Sequence, residues 1–159
     1  MASAASATWC ASRASKGGYD TFFALAEVPE EILKVLHTLR SHKTFIHPLE
    51  LVGILAPYFS PVLRAHLGGA DVIHFGDNQA ANGVAIKGAS GAPDLARLAL
   101  LFHSRLAADA TRVWIEWVCS AGNPADAPSR VDLSSLLEAG ASQLDFVFPD
   151  LLSAFGIGV

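Results

Sequence analysis

The chain has 159 residues, of which 52% are apolar and 16% are charged, and its formal net charge is −4. This length suits one compact domain with a sizeable core, and this composition excludes a disordered protein. Because no apolar run reaches the roughly 18 residues of a membrane span and no secretory signal is present, we expect a soluble intracellular protein.

The first half of the chain predicts a strand, a helix, a second short strand and a long helix. Residues 22–28 are short and apolar and predict a strand that Pro29 ends. Two acids directly after Pro29 are typical of a helix amino terminus, and the apolar residues that follow keep helical spacing. Residues 43–46 predict a short strand. A longer helix then begins near His47 and ends at Gly68-Gly69.

The second half predicts strands that alternate with helices. Residues 71–76 form a short apolar run between turn residues, which predicts a buried strand. The further predicted elements are a helix that ends at Ala85, a loop at 87–91, a helix at 93–108, a strand at 112–118, a turn at Asn123-Pro124 and a helix at 133–137. We expect Trp114 and Trp117 of the last strand, and His74, to pack in the core. This alternation predicts an α/β fold with a mixed central sheet flanked by helices.

Three carboxylates lie where such a fold places functional groups. Asp77 directly follows the predicted strand at 71–76, Glu50 lies in the first turn of the long helix, and Asp126 lies just beyond the strand at 112–118. Carboxylates from three separate elements can meet at one sheet edge, and oxygen ligands of this kind suit magnesium. Two such ions would hold both the attacking water and the leaving oxygen of a phosphodiester.

Each carboxylate also has a structural interpretation. Glu50 in a first turn is favoured by the helix dipole, Asp77 can cap the helix that follows it, and Asp126 can cap its own turn. Spacing alone leaves the structural and the functional interpretations open.

Four motifs, in order along residues 46–130, resemble the ribonuclease H domain of retroelement reverse transcriptases. They are IHPLEL at 46–51, FGDNQAA at 75–81, KGAS at 87–90, and WV at 117–118 followed by NPADAPSR at 123–130. The last motif, in the form N-x-x-A-D-x-x-S-R, is the most specific.

The resemblance implies a ribonuclease H-like fold and a metal-dependent hydrolase that cuts the RNA strand of an RNA–DNA hybrid. Glu50, Asp77 and Asp126 would then be catalytic carboxylates and ligands of two Mg²⁺ ions. Asn78 and Gln79 would lie beside the substrate groove. Lys87, next to a glycine loop, is a candidate phosphate contact. The implied partners are a hybrid or another nucleic acid and a reverse transcriptase domain of a longer polyprotein.

The chain departs from the family pattern at its beginning. The family's first catalytic aspartate lies on the first strand in the pattern Asp-Ala-Ser, and here Met1 precedes Ala2-Ser3. We therefore expect a truncated first strand and impaired activity. We assign residues 1–130 to the ribonuclease H-like domain and residues 131–159 to an acidic carboxy-terminal extension.

Two further hypotheses stay open on the sequence. The chain can be a non-catalytic remnant that serves as a structural or nucleic-acid-binding module. It can also be another member of the same fold, such as an integrase-like strand transferase, although the motif at 123–130 argues against that. The acidic charge is unusual for a nucleic-acid binder, but residues 131–159 account for it, so residues 1–130 are formally neutral. The bases within residues 34–66 predict either a basic face or a solvated helix surface.

Overall fold

The computed structural model describes residues 6–15, 18–38, 46–126, 132–146 and 151–154. Its strands are β1 (Ser6–Ser15), β2 (Gly18–Glu27), β3 (Asp71–Gly76), β4 (Arg112–Trp117) and β5 (Ser142–Gln143). Its α-helices are α1 (Glu30–Thr38), α2 (Ile46–Phe59), α3 (Pro61–Leu67), α4 (Gln79–Lys87), α5 (Pro93–Ala108), α6 (Ser134–Glu138) and α7 (Leu151–Ala154), and a 3-10 helix covers Ser120–Gly122. Strands and helices alternate, which confirms the predicted α/β class.

The described strands form two small sheets. β1 and β2 are antiparallel, with pairs that run from Ser6↔Glu27 to Ser15↔Gly18, and β5 pairs with the other edge of β2 in parallel. β3 and β4 form a parallel pair whose connection passes through α4 and α5, as a parallel pair requires. We predicted a single central sheet, but these strands form two, because no described strand of the first sheet pairs with β3 or β4. Met1 and the expected start of the first strand lie outside the described residues.

The long helix predicted from His47 to Gly68 is wrong, because Ser60 and Pro61 divide it into α2 and α3. Ser60 has an extended backbone, with φ −68° and ψ 125°. A residue that precedes proline is pushed out of the helical region by the proline ring, and Pro61 has no N–H to continue the ladder. The predicted strand at 43–46 is wrong at Ile46, which begins α2, and residues 43–45 lie outside the described part.

Helix α2 lies at the centre of the main core. Its side chains Leu51, Val52 and Leu55 are buried and pack in one cluster with Leu98 and Phe102 of α5. A helix that is apolar on most of its surface is stable only when other elements cover it. The layer formed by α2, α4 and α5 meets this requirement. Among the described helices, none has the length and apolar character of a membrane span.

The carboxy-terminal residues contribute side chains to these cores. Leu151 of α7 belongs to the main cluster, and Phe146 packs in a second cluster with Ala24 and Leu63. Leu136 packs in a third cluster with Phe23 of β2. The domain boundary at residue 130 stays a prediction, but residues on both sides of it share these clusters.

One face of the β3–β4 pair is exposed, which corrects the prediction of a buried strand and of core tryptophans. The exposed fractions of Ile73, Phe75 and Trp114 on this face are 64%, 56% and 68%. Trp117 belongs to the opposite face but lies at the end of β4, where it is 49% exposed. On the other face, Val113 and Ile115 pack against the main cluster. Side chains alternate between the faces of a strand, so a sheet that helices cover on one side leaves every second residue in solvent.

Candidate functional site

The site begins at the carboxyl end of β3, where a strand turns directly into a helix. Asp77 follows the last strand residue, and its side chain is half-buried. Asn78 is the N-cap of α4, and its Oδ1 accepts hydrogen bonds of 3.1 Å from the amides of Ala80 and Ala81. Asn78 therefore fulfils the capping role that was the structural alternative for Asp77. The Asp77 carboxylate is therefore not needed to cap α4 and can make other contacts.

Asp77 is tied to the chain that follows β4. The hydroxyl of Ser120 donates a hydrogen bond of 3.1 Å to Asp77 Oδ2, and the indole Nε1 of Trp117 donates one of 3.2 Å to the Asp77 carbonyl oxygen. The amide of Val118 donates to the carbonyl oxygen of Gly76 at 3.2 Å. These contacts join the carboxyl ends of two neighbouring parallel strands, which is the edge where α/β sheets hold ligands.

A second carboxylate, that of Glu116, lies near the end of β4 and is occupied by neighbouring donors. The amide of Trp117 donates to its Oε1 at 3.1 Å, and the indole of Trp114 donates to its Oε2 at 3.3 Å. The two tryptophans expected in the core thus hold polar groups at the surface. Trp117 uses its amide for Glu116 and its indole for Asp77, so it links the two acids.

Asp126 is positioned by a turn that Asn123 organises, which confirms the predicted turn at Asn123-Pro124. The amide of Asp126 donates to the carbonyl oxygen of Asn123 at 3.0 Å, and the amide of Ala125 donates to Asn123 Oδ1 at 3.0 Å. The amide of Asn123 in turn donates to the carbonyl oxygen of Ser120 at 3.1 Å. The segment that carries Asp126 therefore starts from the residue that contacts Asp77.

Glu50 lies on α2 and is half-buried. Because α2 begins at Ile46, its first turn contains no acidic residue, so the expected place of Glu50 in a first turn is wrong. The helix dipole acts mainly within the first turn, and it therefore accounts less well for a glutamate at this position.

The two remaining predicted residues mark opposite ends of α4. Gln79 is the first residue of this helix and Lys87 the last, and both side chains are exposed. A rise of about 1.5 Å per residue separates them by roughly 12 Å along the helix axis. Gln79 is thus close to Asp77 along the chain, whereas the structure places Lys87 at the far end of the helix.

The described side chains do not gather into a metal site. Within residues 20–34, 48–126 and 132–146, no group of three or more histidine, cysteine, aspartate or glutamate side chains has the geometry to hold a metal ion. Glu50, Asp77 and Asp126 consequently do not form the magnesium cluster that the resemblance implies in this arrangement. The roles assigned to these three carboxylates stay predictions.

His74 is partly buried and packs against Tyr58 of the main core, which agrees with the expectation that it packs rather than binds a ligand. Its Nδ1 lies 3.2 Å from the Tyr58 hydroxyl, and the two rings stack with centroids 6.1 Å apart. Burial lowers the pKa of His74 to about 4, because a charged imidazole loses its hydration there. Burial also raises the pKa of the Tyr58 hydroxyl. Both side chains are therefore neutral at neutral pH.

Sequence reasoning missed Ser120, Trp117 and Asn82 as members of this site. Asn82 of α4 donates from Nδ2 to the carbonyl oxygen of Gly76 at 2.8 Å. The only sequence signals were the position of Ser120 just after a strand and the spacing of Asn82 one helical turn after the N-cap Asn78.

No protein-family model, curated protein or solved structure matches the chain.

Proposed function

We propose that this chain is a ribonuclease H-like domain of a retroelement that acts on RNA–DNA hybrid, with Asp77 at the centre of its site. The observation that supports this most is the hydrogen bond from Ser120 to Asp77, which joins the loops that follow β3 and β4. The two loops carry the two most informative motifs of the resemblance, FGDNQAA and NPADAPSR. Their convergence at one sheet edge is the arrangement that a shared active site requires.

The groups around Asp77 suit recognition of a nucleic-acid backbone. Gln79, two positions after Asp77, is exposed and carries an amide, and Ser120 is exposed and carries the hydroxyl that contacts Asp77. Proteins recognise A-form helices mainly through phosphate and 2′-hydroxyl contacts, for which amide and hydroxyl groups are suitable partners. We therefore expect binding with little dependence on base sequence.

The proposed reaction is hydrolysis of the RNA strand, for which this fold family uses magnesium. The described carboxylates do not fit a metal site of three ligands. We therefore expect weak activity. Full activity would require further carboxylates close to Asp77, and none of the described residues forms such a group with it.

A second candidate function is a non-catalytic nucleic-acid-binding module. The observation that favours it is the same lack of a three-ligand group among the described side chains. Binding through backbone contacts requires only donors and shape, whereas cleavage also requires charge stabilisation at the reacting phosphate.

One experiment separates the two candidates. A labelled RNA–DNA hybrid is incubated with the chain and Mg²⁺, and both cleavage and a mobility shift are measured, with duplex DNA as the competing substrate. Asp77→Asn should abolish cleavage. Asp71→Asn at the other end of β3 is the matched control, because Asp71 pairs with Arg112 in solvent.

Each result of this assay decides between the candidates. Hybrid cleavage that Asp77→Asn removes and Asp71→Asn preserves would support the hydrolase. A hybrid-selective shift without cleavage would support the binding module. No shift and no cleavage by the wild-type chain would contradict both.

A further inference from the structure

Asn82 is a buried polar residue in which only one of the two polar side-chain atoms has a hydrogen-bond partner among the described residues. Its side chain is 4% exposed, and Nδ2 donates to the carbonyl oxygen of Gly76 at 2.8 Å. Its Oδ1 is buried and has no hydrogen-bond partner among the described residues. A buried acceptor without a partner destabilises a fold. An apolar side chain at this position would avoid that penalty, so the stability of the fold alone does not explain Asn82.

Asn82 and Gly76 are matched in shape. A Cβ atom placed on Gly76 would come closer to Asn82 Oδ1 than real Cβ atoms approach any neighbour. Residue 76 can therefore carry no side chain while Asn82 holds this position. Glycine in a strand often marks such a close approach of another group to the backbone. The contact lies at the last residue of β3, one position before Asp77.

The carbonyl that Asn82 holds determines where Asp77 is placed. The peptide unit between Gly76 and Asp77 is planar, so fixing the Gly76 oxygen also fixes the nitrogen and Cα of Asp77. Asn82 Nδ2 and the amide of Val118 both donate to that oxygen, at 2.8 Å and 3.2 Å. One donor comes from α4 and the other from the end of β4, so the peptide is held from two elements.

We infer that Asn82 is the positioning residue of the Asp77 site, and that it orients the Gly76–Asp77 peptide so that the Asp77 carboxylate meets Ser120. This inference rests on the proposed function only where it concerns catalysis. Asn82 does not contact the carboxylate itself. It acts through the backbone, and its removal should change the orientation of Asp77 without removing any group that binds substrate.

The test uses Asn82→Leu, which removes the donor and the unpaired acceptor and keeps the branching of the side chain at Cγ. The first readout is the indole N–H resonance of Trp117 in a ¹H–¹⁵N spectrum, assigned with Trp117→Phe, because that N–H bonds to the Asp77 carbonyl. We expect this resonance to move, while the indole of Trp114, which bonds to Glu116, stays in place. A role of Asn82 in stability alone would leave the Trp117 resonance unchanged in the folded variant.

The second readout is the kinetics of hybrid cleavage. We expect kcat to fall by about tenfold to a hundredfold, the usual effect of a small displacement of a catalytic group, with KM changed by less than about twofold. The matched control is Ser60→Ala. Like Asn82→Leu, it removes a buried polar atom that has no partner among the described residues, here a hydroxyl, and it should leave both readouts unchanged.

A second variant keeps the inference testable if Asn82→Leu does not fold. Gly76→Ala displaces Asn82 from the other side of the contact and should move the same Trp117 resonance. An unchanged Trp117 resonance in folded Asn82→Leu, or in Gly76→Ala when Asn82→Leu does not fold, would overturn the inference. If the wild-type chain neither binds nor cleaves hybrid, the proposed function fails, and the Trp117 resonance still decides whether Asn82 positions Asp77.

Discussion

The hydroxyl of Ser120 and the carboxylate of Asp77 are joined by a hydrogen bond of 3.1 Å although 43 positions separate them in the chain. The bond connects the loop after β3 with the loop after β4. It also brings the segments of both motifs to one sheet edge, since the turn that holds Asp126 starts from Ser120 through Asn123.

Replacing Ser120 by alanine should impair the site more than the fold. The bond is exposed to solvent, so its loss should lower the free energy of unfolding by no more than about 1 kcal/mol. Cleavage or binding of hybrid should fall, because the Asp77 carboxylate loses the donor that orients it. Thermal denaturation and the hybrid assay measure the two effects. Ser104→Ala on the exposed face of α5 is the control. Equal hybrid cleavage and binding by Ser120→Ala and the wild type would contradict the prediction.

The ion pair between Arg64 and Asp109 should stabilise the fold in a pH-dependent way. Arg64 Nε and Nη2 donate to the two Asp109 oxygens, each at 2.6 Å, and thereby join α3 to the end of α5. The hydrogen bond from Arg64 lowers the pKa of Asp109. A carboxyl with a depressed folded-state pKa stabilises the fold above its unfolded pKa, and this stabilisation is lost as pH falls through the folded pKa.

We therefore expect Asp109→Asn to lower the Tm at pH 7, and we expect the difference from the wild type to shrink as the solution is acidified below about pH 4. The control is Asp71→Asn, because the pair of Asp71 with Arg112 is bidentate but highly exposed and should contribute little. If Asp71→Asn lowered the Tm as much as Asp109→Asn, the burial of Asp109 would not be the reason that its ion pair stabilises the fold.

His74 should make the fold sensitive to mild acid. Its pKa is lowered to about 4 in the folded state, whereas an unfolded histidine titrates near 6.5. Between these values the unfolded chain binds more protons, so stability is lost as pH falls from about 6.5 to about 4, by at most about 3 kcal/mol. Urea unfolding at several pH values measures this loss.

Substitution of His74 by leucine should flatten the pH profile in that window. Ser104→Ala, which changes an exposed residue of α5 and removes no titratable group, is the control and should keep the profile of the wild type. An unchanged acid sensitivity in His74→Leu would assign the effect to other groups.

Leu151 should be essential for the stability of the domain although it lies beyond the predicted boundary at residue 130. Its side chain is 0% exposed and belongs to the main core cluster. Leu151→Ala should cost about 2–5 kcal/mol, as truncations of buried leucines do. Leu137→Ala is the control, because Leu137 is 59% exposed. Chemical denaturation compares the two. Similar small losses in both would show that the carboxy-terminal residues are a separate extension.

Local signals predicted much of the fold. The strand at 71–76 and the helix at 93–108 agree with β3 and α5, because each shows a short apolar run or a helical period between turn residues. The turn at Asn123 was predicted for the same local reason, since asparagine bonds to its own backbone two residues on. The break at Ser60 was missed, although Pro61 provides a local signal for it.

The sequence by itself determined the α/β alternation, the place of Asp77 after a strand and the candidate carboxylates, because these depend on neighbours within a few residues. Only the tertiary structure decided the exposure of Trp114, which depends on whether another element covers its face of the sheet. Only the tertiary structure joined Asp77 to Ser120 and Gly76 to Asn82. Such contacts depend on how β4 and α4 pack beside β3, and the spacing of residues along the chain carries no record of that packing.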